Sequence, residues 1–292
     1  MPSATVAAPA HLLVRVAARD ADLVSGLLWI DGPQGIEERP DGEDVLLVAG
    51  FGSHHDAEVA AAHLAERASD AAPGVEVVAA DDESWRDAWR PHARPVRVGS
   101  LLVVPVGPDD ADPPAGDDGT NVLAIDAGRA FTGGSHPTTR LMLAEVELAE
   151  LELALAGLDA PTVLDVGCGS GVLAVAAARL GARSVTAIDV DPAALDATRA
   201  NAARNGVAET VDVRSTPLAD LDGQYDLVVA NLLHSTIVEL APALTARVAP
   251  EGRLVLSGLL SHQWVDAVFH LGRWYAEAVT SEDGWVAVRL SR

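Results

Sequence analysis

A chain of 292 residues with 49% hydrophobic content has apolar material for one large core or two moderate ones, and its 43 acidic against 20 basic residues leave a net charge of −23. That charge argues against a nucleic-acid backbone as a direct partner, because phosphate binding needs a cationic face, and it favours a basic partner drawn in by the field. A lone Cys168 leaves no internal disulfide or cysteine metal cluster, no run of about 20 apolar residues would cross a membrane, residues 1–10 carry no basic leader, and a cytoplasmic, reducing location is expected.

In chain order, the N-terminal part alternates. The spacing predicts a strand over 11–17, a helix over 20–30 with Asp20 as its cap, and short strands near 35–39 and 44–49. A helix from about 56 to 69, started near Ser53, and a strand over 74–80 complete it. The order β-α-β-β-α-β is that of a ferredoxin-like sandwich, a small α+β domain over residues 1–80. Residues 1–83 hold 16 acidic side chains against 4 Arg, so this part is strongly acidic. His54, His55 and His63 have no cysteine nearby and are expected to be solvated rather than metal ligands.

Residues 81–95 change character. Trp85 and Trp89 lie four apart on an expected helix beside Arg86, Asp87 and Arg90, a packing seam ended by Pro91 and Pro95 and read as the linker between two domains. Strands near 96–98, 101–106 and 121–125 follow, broken by the acidic, proline-rich loop 107–120. From Pro137 the pattern is a helix over 137–156, a strand over 162–166, a helix over 172–180 and a strand over 184–189. Next come a helix stopped by Gly206, strands near 209–213 and 225–231, and a helix over 235–248. The last elements are a strand over 252–257, a helix over 260–271 and strands over 273–279 and 284–290. Residues 96–292 therefore form a doubly wound α/β domain with a seven-stranded sheet whose last two strands pair as a hairpin, unlike the six-stranded parallel sheet of a dehydrogenase.

The chemistry concentrates at the ends of three of these strands. VLDVGCGSG (163–171) is a buried strand running into a glycine turn, and TAIDVD places Asp189 at the end of the next strand. Gly167, Gly169 and Gly171 let backbone approach a ligand where a Cβ would collide, and Asp189 can accept both hydroxyls of a ribose. Dinucleotide folds want G-x-G-x-x-G with a pyrophosphate on the helix N-terminus; here the pattern is G-x-G-x-G led by Asp165, whose carboxylate would repel a pyrophosphate and suits a cation. S-adenosylmethionine has a sulfonium, an α-amino group and no phosphate, so the stretch is similar to motif I of class I methyltransferases. Asn231, at the mouth of the strand 225–231, either caps the next helix or positions the methionine end of the cofactor or an attacking amine, for which an orienting amide suffices because the amine needs only a free lone pair and in-line geometry. Asp191 is expected to cap the helix that begins Asp-Pro, Ser135 or Thr138 to cap the helix from Pro137, and Cys168 to be a small buried residue.

Four segments carry a likeness to a known family: AFTGGSHPTTRLML (130–143), VLDVGCGSGVLAVAAARLGA (163–182), AIDVDPAALDATRANAARNGV (187–207) and DLVVANLLHSTIVELAPAL (226–244). They resemble PrmA, the ribosomal protein L-eleven methyltransferases, and DESWRDAWRPHARPVRVG (82–99) is similar to that family's linker. The resemblance implies a small N-terminal recognition domain, a linker helix and a class I methyltransferase domain. It also implies S-adenosylmethionine as cofactor and methyl transfer to lysine side chains and the α-amine of a basic ribosomal protein. Carried over by motif, Gly167, Asp189 and Asn231 would contact the cofactor, together with Asp165 and Gly169 of the same turn and Phe131 of a covering loop. The family's loop reads A-F-G-T-G-T-H and its Thr contacts the cofactor; Gly133 stands at that position here, so the hydroxyl comes from the adjacent Thr132 or is lost. Open alternatives are a methyltransferase of the same fold acting on another protein or a small amine, and a non-catalytic adenosyl-ligand sensor. A nicotinamide dehydrogenase is disfavoured by G-x-G-x-G and Asp165.

Overall fold

A computed structural model of the chain describes residues 10–29, 31–33, 35–42, 44–68, 74–79, 94–107, 110–111, 113, 116, 119–126, 136–155, 157–158 and 160–292. The chain divides into two compact units, Met1–Ala88 and Trp89–Arg292. Trp85 and Trp89 lie outside the described residues, as do Phe131, Thr132 and Gly133.

In the first unit, β1 (Ala10–Ala17), α1 (Ala21–Trp29), β2 (Gly35–Asp41), β3 (Asp44–Phe51), α2 (His54–Arg67) and β4 (Gly74–Ala79) form an antiparallel sheet in the order β2-β3-β1-β4. That is the ferredoxin-like arrangement. Leu12, Val14 and Val16 alternate along β1, are fully buried, and share a core with Val24 and Leu28 of α1 and Ala57, Ala60 and Leu64 of α2. Ser53 caps α2, its hydroxyl accepting the Asp56 N–H at 3.0 Å. A 3-10 turn, Ala18–Asp20, runs straight into α1, so Asp20 immediately precedes the helix. His63 is not merely solvated. Its Nδ1 lies 2.6 Å from one oxygen of Asp31, while Arg67 donates to the other at 2.7 Å, tying α2 to the residues after α1. Among the described residues no group of three or more His, Cys, Asp or Glu could hold a metal ion.

The second unit begins with a three-stranded sheet in which β6 (Leu101–Pro105) lies between β5 (Val96–Val98), antiparallel to it, and β7 (Asn121–Ile125), parallel to it. The main body comprises α3 (Pro137–Leu155), β8 (Thr162–Val166), α4 (Val172–Leu180), β9 (Ser184–Ile188), α5 (Pro192–Arg204), β10 (Val211–Arg214) and β11 (Tyr225–Asn231), then α6 (His234–Arg247), β12 (Val248–Leu260), α7 (Trp264–Leu271), β13 (Tyr275–Glu282) and β14 (Trp285–Ser291). Its seven-stranded sheet runs β10-β9-β8-β11-β12-β14-β13, with β14 antiparallel to both neighbours. An Asp283-Gly284 turn, both residues with positive φ, closes the final hairpin. The chain winds outward from β8 to β10 and returns to β11, so the order reverses between β8 and β11, which is where open α/β sheets bind ligands.

Alternate residues of the parallel strands serve opposite faces. Val163, Val185, Leu227 and Val255 pack with α3 and α4; Leu164, Val166, Val228 and Leu254 pack with α6 and α7. Burial on both faces explains the near-continuous apolar runs. The same period places Asp165 on the face of Val163, toward α4.

Helix α3 carries two buried acids. Glu145, 1% exposed, accepts from Arg289 Nη1 at 2.8 Å and from the Thr280 hydroxyl at 3.1 Å. Glu150 is buried, its Oε1 has no hydrogen-bond partner, and burial pushes its pKa up to about 8. An acid whose folded pKa lies above its unfolded value holds more protons when folded. Its contribution to stability therefore falls as pH rises from about 4.5 to about 8, each pKa unit being worth about 1.4 kcal/mol. Glu150→Gln is accordingly expected to raise the urea midpoint at about pH 9 and to leave it near the wild-type value at about pH 4. An equal shift at both pH values would show that the carboxyl does not titrate in this way.

Candidate functional site

The site grows out of the end of β8. After Val166 the backbone turns through Gly167, Gly169 and Gly171, with φ of +74°, +55° and +78°. A Cβ at Gly167 would have to push aside the tip of the Leu232 side chain, and one at Gly171 would sit 2.7 Å from Thr198 Cγ2 and 3.0 Å from its Cα, so Gly171 needs glycine for space as well as for conformation. The Gly167 and Cys168 N–H groups donate to the Ile188 carbonyl at 2.9 and 3.0 Å, which lashes the turn to the end of β9. There Asp189 is half-buried, accepting the Gly169 N–H at one oxygen and the Asp191 N–H at the other, each at 3.0 Å. Each oxygen keeps a lone pair for a further donor. Asp191 caps α5, accepting the Ala193 N–H at 2.9 Å.

Asp165 is 1% exposed; one oxygen accepts the Ala174 N–H at 3.1 Å and the other has no partner. Burial pushes its pKa up to about 7; the Ala174 N–H pulls it back and the negative charge of Asp189 adds to the rise. A buried carboxyl with one oxygen unpartnered, beside a second acid, is an environment that a cation relieves and an anion worsens. The same surroundings push the Cys168 thiol up to about 12, burial being the main cause, so it stays protonated and is no nucleophile.

Asn231 ends β11, across the switch point from the turn, and the next residue, Leu232, is the one that packs on Gly167. It is not a helix cap: the cap position of α6 is Leu233, and Ser235 lies within the helix. Instead Asn231 Nδ2 donates to the Thr138 hydroxyl at 3.2 Å, and that hydroxyl lies 2.8 Å from His136 Nδ1. The Thr138 N–H also donates to His136 Nδ1, at 3.3 Å, which places the ring proton on Nε2. Burial first, and then the Arg140 charge, bring the His136 pKa down to about 4, and its ring stacks edge-on against Trp285 at 5.2 Å. Thr138 is thus a relay between Asn231 and a neutral imidazole, not the cap of α3. With its NH2 committed to Thr138, Asn231 keeps its carbonyl oxygen as an acceptor.

The fold therefore brings Asp165, Gly167, Gly169 and Asp189 together around one turn and sets Asn231 on the neighbouring strand end. Sequence reading missed Thr198 and Asn201 of α5, 0% and 1% exposed, both of which reach the turn. A signal existed: both are polar at positions that helical spacing assigns to the buried face.

Comparison with known proteins gives concordant findings. The family described as "Ribosomal protein L11 methyltransferase (PrmA)" matches residues 16–292. A "Ribosomal protein L11 methyltransferase" of Geobacter metallireducens is 43% identical over 220 residues, 74% of this chain and 69% of the relative. One of Chromohalobacter salexigens is 41% identical over 228 residues, 77% of this chain and 72% of the relative. The solved "ribosomal protein L11 methylase" of Lactobacillus delbrueckii subsp. bulgaricus superposes with a TM-score of 0.59 at 31% identity, covering 68% of this chain and 98% of that one.

Proposed function

The chain belongs to the PrmA family of ribosomal protein L11 methyltransferases, and from that premise we propose that it transfers methyl groups from S-adenosylmethionine to lysine side chains and the α-amine of ribosomal protein L11. The observation that carries this is the acid–glycine turn–acid arrangement of Asp165, Gly167–Gly171 and Asp189, with Asn231 facing it at the switch point.

The residues present fit that cofactor. Asp189 has lone pairs for a ribose diol, Gly167 and Gly169 put no side chain between the turn and a ligand, and Asp165 has one carboxyl oxygen without a partner, in a group that a neighbouring cation would ionise. When bound, the cofactor supplies an electrophilic methyl on a positively charged sulfur. Asn231, an amide that stays neutral at every working pH, can accept an N–H of the incoming amine and orient its lone pair. A carboxylate there would favour the ammonium form, which has no lone pair to attack with. Thr138 and the neutral His136 hold the Asn231 amide in this sense.

The acidity of residues 1–80 supports their role as a docking module for a basic protein, with 81–95 as linker and 96–292 as the methyl-transferring domain. Among the described residues no helix is long and apolar enough to cross a membrane. A ribosomal protein as substrate supports a cytoplasmic location, and the net charge supports recognition of that protein without direct nucleic-acid binding.

Intact mass spectrometry of purified ribosomal protein L11 after incubation with the chain and S-adenosylmethionine tests the proposal. Methyl-sized mass steps are expected; label appearing only on other proteins of an extract would reassign the substrate, and none on any protein would leave a binding protein. Asn231→Ala is expected to lower kcat about tenfold through the lost orienting hydrogen bond.

A further inference from the structure

Three glycines give the turn its shape but no side chain with which to hold it, and glycine loses more backbone freedom on ordering than any other residue. Something outside the turn must fix it. The structure assigns that task to one face of α5. The Thr198 hydroxyl donates to the Gly169 carbonyl at 3.0 Å and lies 3.2 Å from Cys168 Sγ. One turn along, Asn201 Nδ2 donates to the next carbonyl, that of Ser170, at 2.8 Å. Two consecutive carbonyls of the turn are thus drawn toward the helix, while the Gly169 N–H is held on the other side by Asp189.

Asn201 does more. The same NH2 donates to the Asp126 carbonyl at 2.8 Å, and its oxygen accepts the Asp126 N–H at 2.9 Å. One buried amide therefore joins the glycine turn to the end of β7. Asn205, four residues on, clamps the same strand alike: it accepts the Ala124 N–H at 2.9 Å and donates to the Ala124 carbonyl at 2.8 Å. Its side-chain hydrogen bonds go to Ala124 of β7 and to the Asn201 carbonyl rather than to the turn.

We propose that Thr198 and Asn201 are positioning residues for cofactor binding, a two-point brace that holds the turn in the shape its ligand needs, with Asn205 as the purely structural counterpart. This rests on the functional assignment above. Because the brace acts on the bound conformation, its loss belongs in the cofactor's affinity and KM, with little effect on kcat at saturation.

Calorimetric titration of the full chain with S-adenosylhomocysteine, alongside kcat and KM, tests this. Thr198→Val keeps the volume and removes the donor; the dissociation constant is expected to rise about fivefold with kcat within about twofold, and Thr198→Ser is expected to restore it. Asn201→Ala is expected to raise it about tenfold, since it frees three backbone groups. Asn205→Ala should lower the melting temperature comparably and leave the dissociation constant within about twofold. Should Asn201→Ala fail to fold, the Thr198 pair decides alone. Wild-type affinity in Thr198→Val, or an equal loss in Asn205→Ala, would overturn the brace while leaving the methyltransferase assignment intact; no binding by the wild-type chain would overturn both.

Discussion

With alanine in place of Asp189, the dissociation constant for S-adenosylmethionine is expected to rise by roughly two orders of magnitude, because each charge-assisted hydrogen bond from a ribose hydroxyl is worth about 1.5–3 kcal/mol. The carboxylate also accepts the Gly169 and Asp191 N–H groups, so its removal loosens the turn and the start of α5 as well as the ligand contact. Asp189→Asn separates the two effects. It keeps the side chain's shape and one acceptor oxygen while its NH2 meets the other backbone N–H, so an intermediate affinity is expected with a melting temperature between those of wild type and the alanine variant. Calorimetry on both variants is the measurement. An alanine variant that binds as tightly as wild type would leave Asp189 a purely structural acid.

Removing Glu145 should have the largest effect on stability. It is paired in the interior with Arg289, whose guanidinium also lies 3.1 Å from Glu152 and 3.8 Å from Glu277, so Glu145→Ala takes away the most buried of its three acids and leaves the Thr280 hydroxyl without that acceptor. Breaking one side of a buried pair costs about 3–5 kcal/mol when the other charge is left alone; with two acids still beside Arg289, urea unfolding at neutral pH should register a loss at or below about 3 kcal/mol. Replacing both partners with Met is expected to recover most of it, since the desolvation of both charges then disappears. The pair fastens α3 to β14, and Arg140 adds a second tie at the start of α3, donating to Glu282 at 2.6 Å. Both anchor the helix that carries Thr138 opposite Asn231. A double variant as unstable as Glu145→Ala would mean that the methionines do not pack there.

Much of the architecture is legible in the chain because its parallel strands are buried on both faces and its helices begin and end on recognisable residues. The strand 162–166, the helix 172–180 and the strand 225–231 fall where the apolar runs and glycines place them. The departures have physical causes. The pattern ends a strand at 257 and starts a helix at 260, yet β12 runs from Val248 to Leu260 and α7 starts at Trp264. The apolar Leu259-Leu260 satisfies either period, and pairing with Val286 and Trp285 of β14, past a register shift, draws it into the sheet. Asn231 near Ser235 also reads as a helix cap, and only the helix start at His234, with Leu233 in the cap position and Thr138 of α3 as the partner of Asn231, decides against it.

Local spacing along the chain determined the chemistry on offer: a strand, a bare turn, a helix and an acid at the next strand end, because each depends on residues within one βαβ unit. Which buried polar groups meet was settled by the tertiary structure alone. Asn201 finds Ser170 across 31 residues, Asn231 finds Thr138 across 93, and Glu145 finds Arg289 across 144. A polar side chain taken out of water has to meet a partner, and the strand order that supplies it is written in no periodicity.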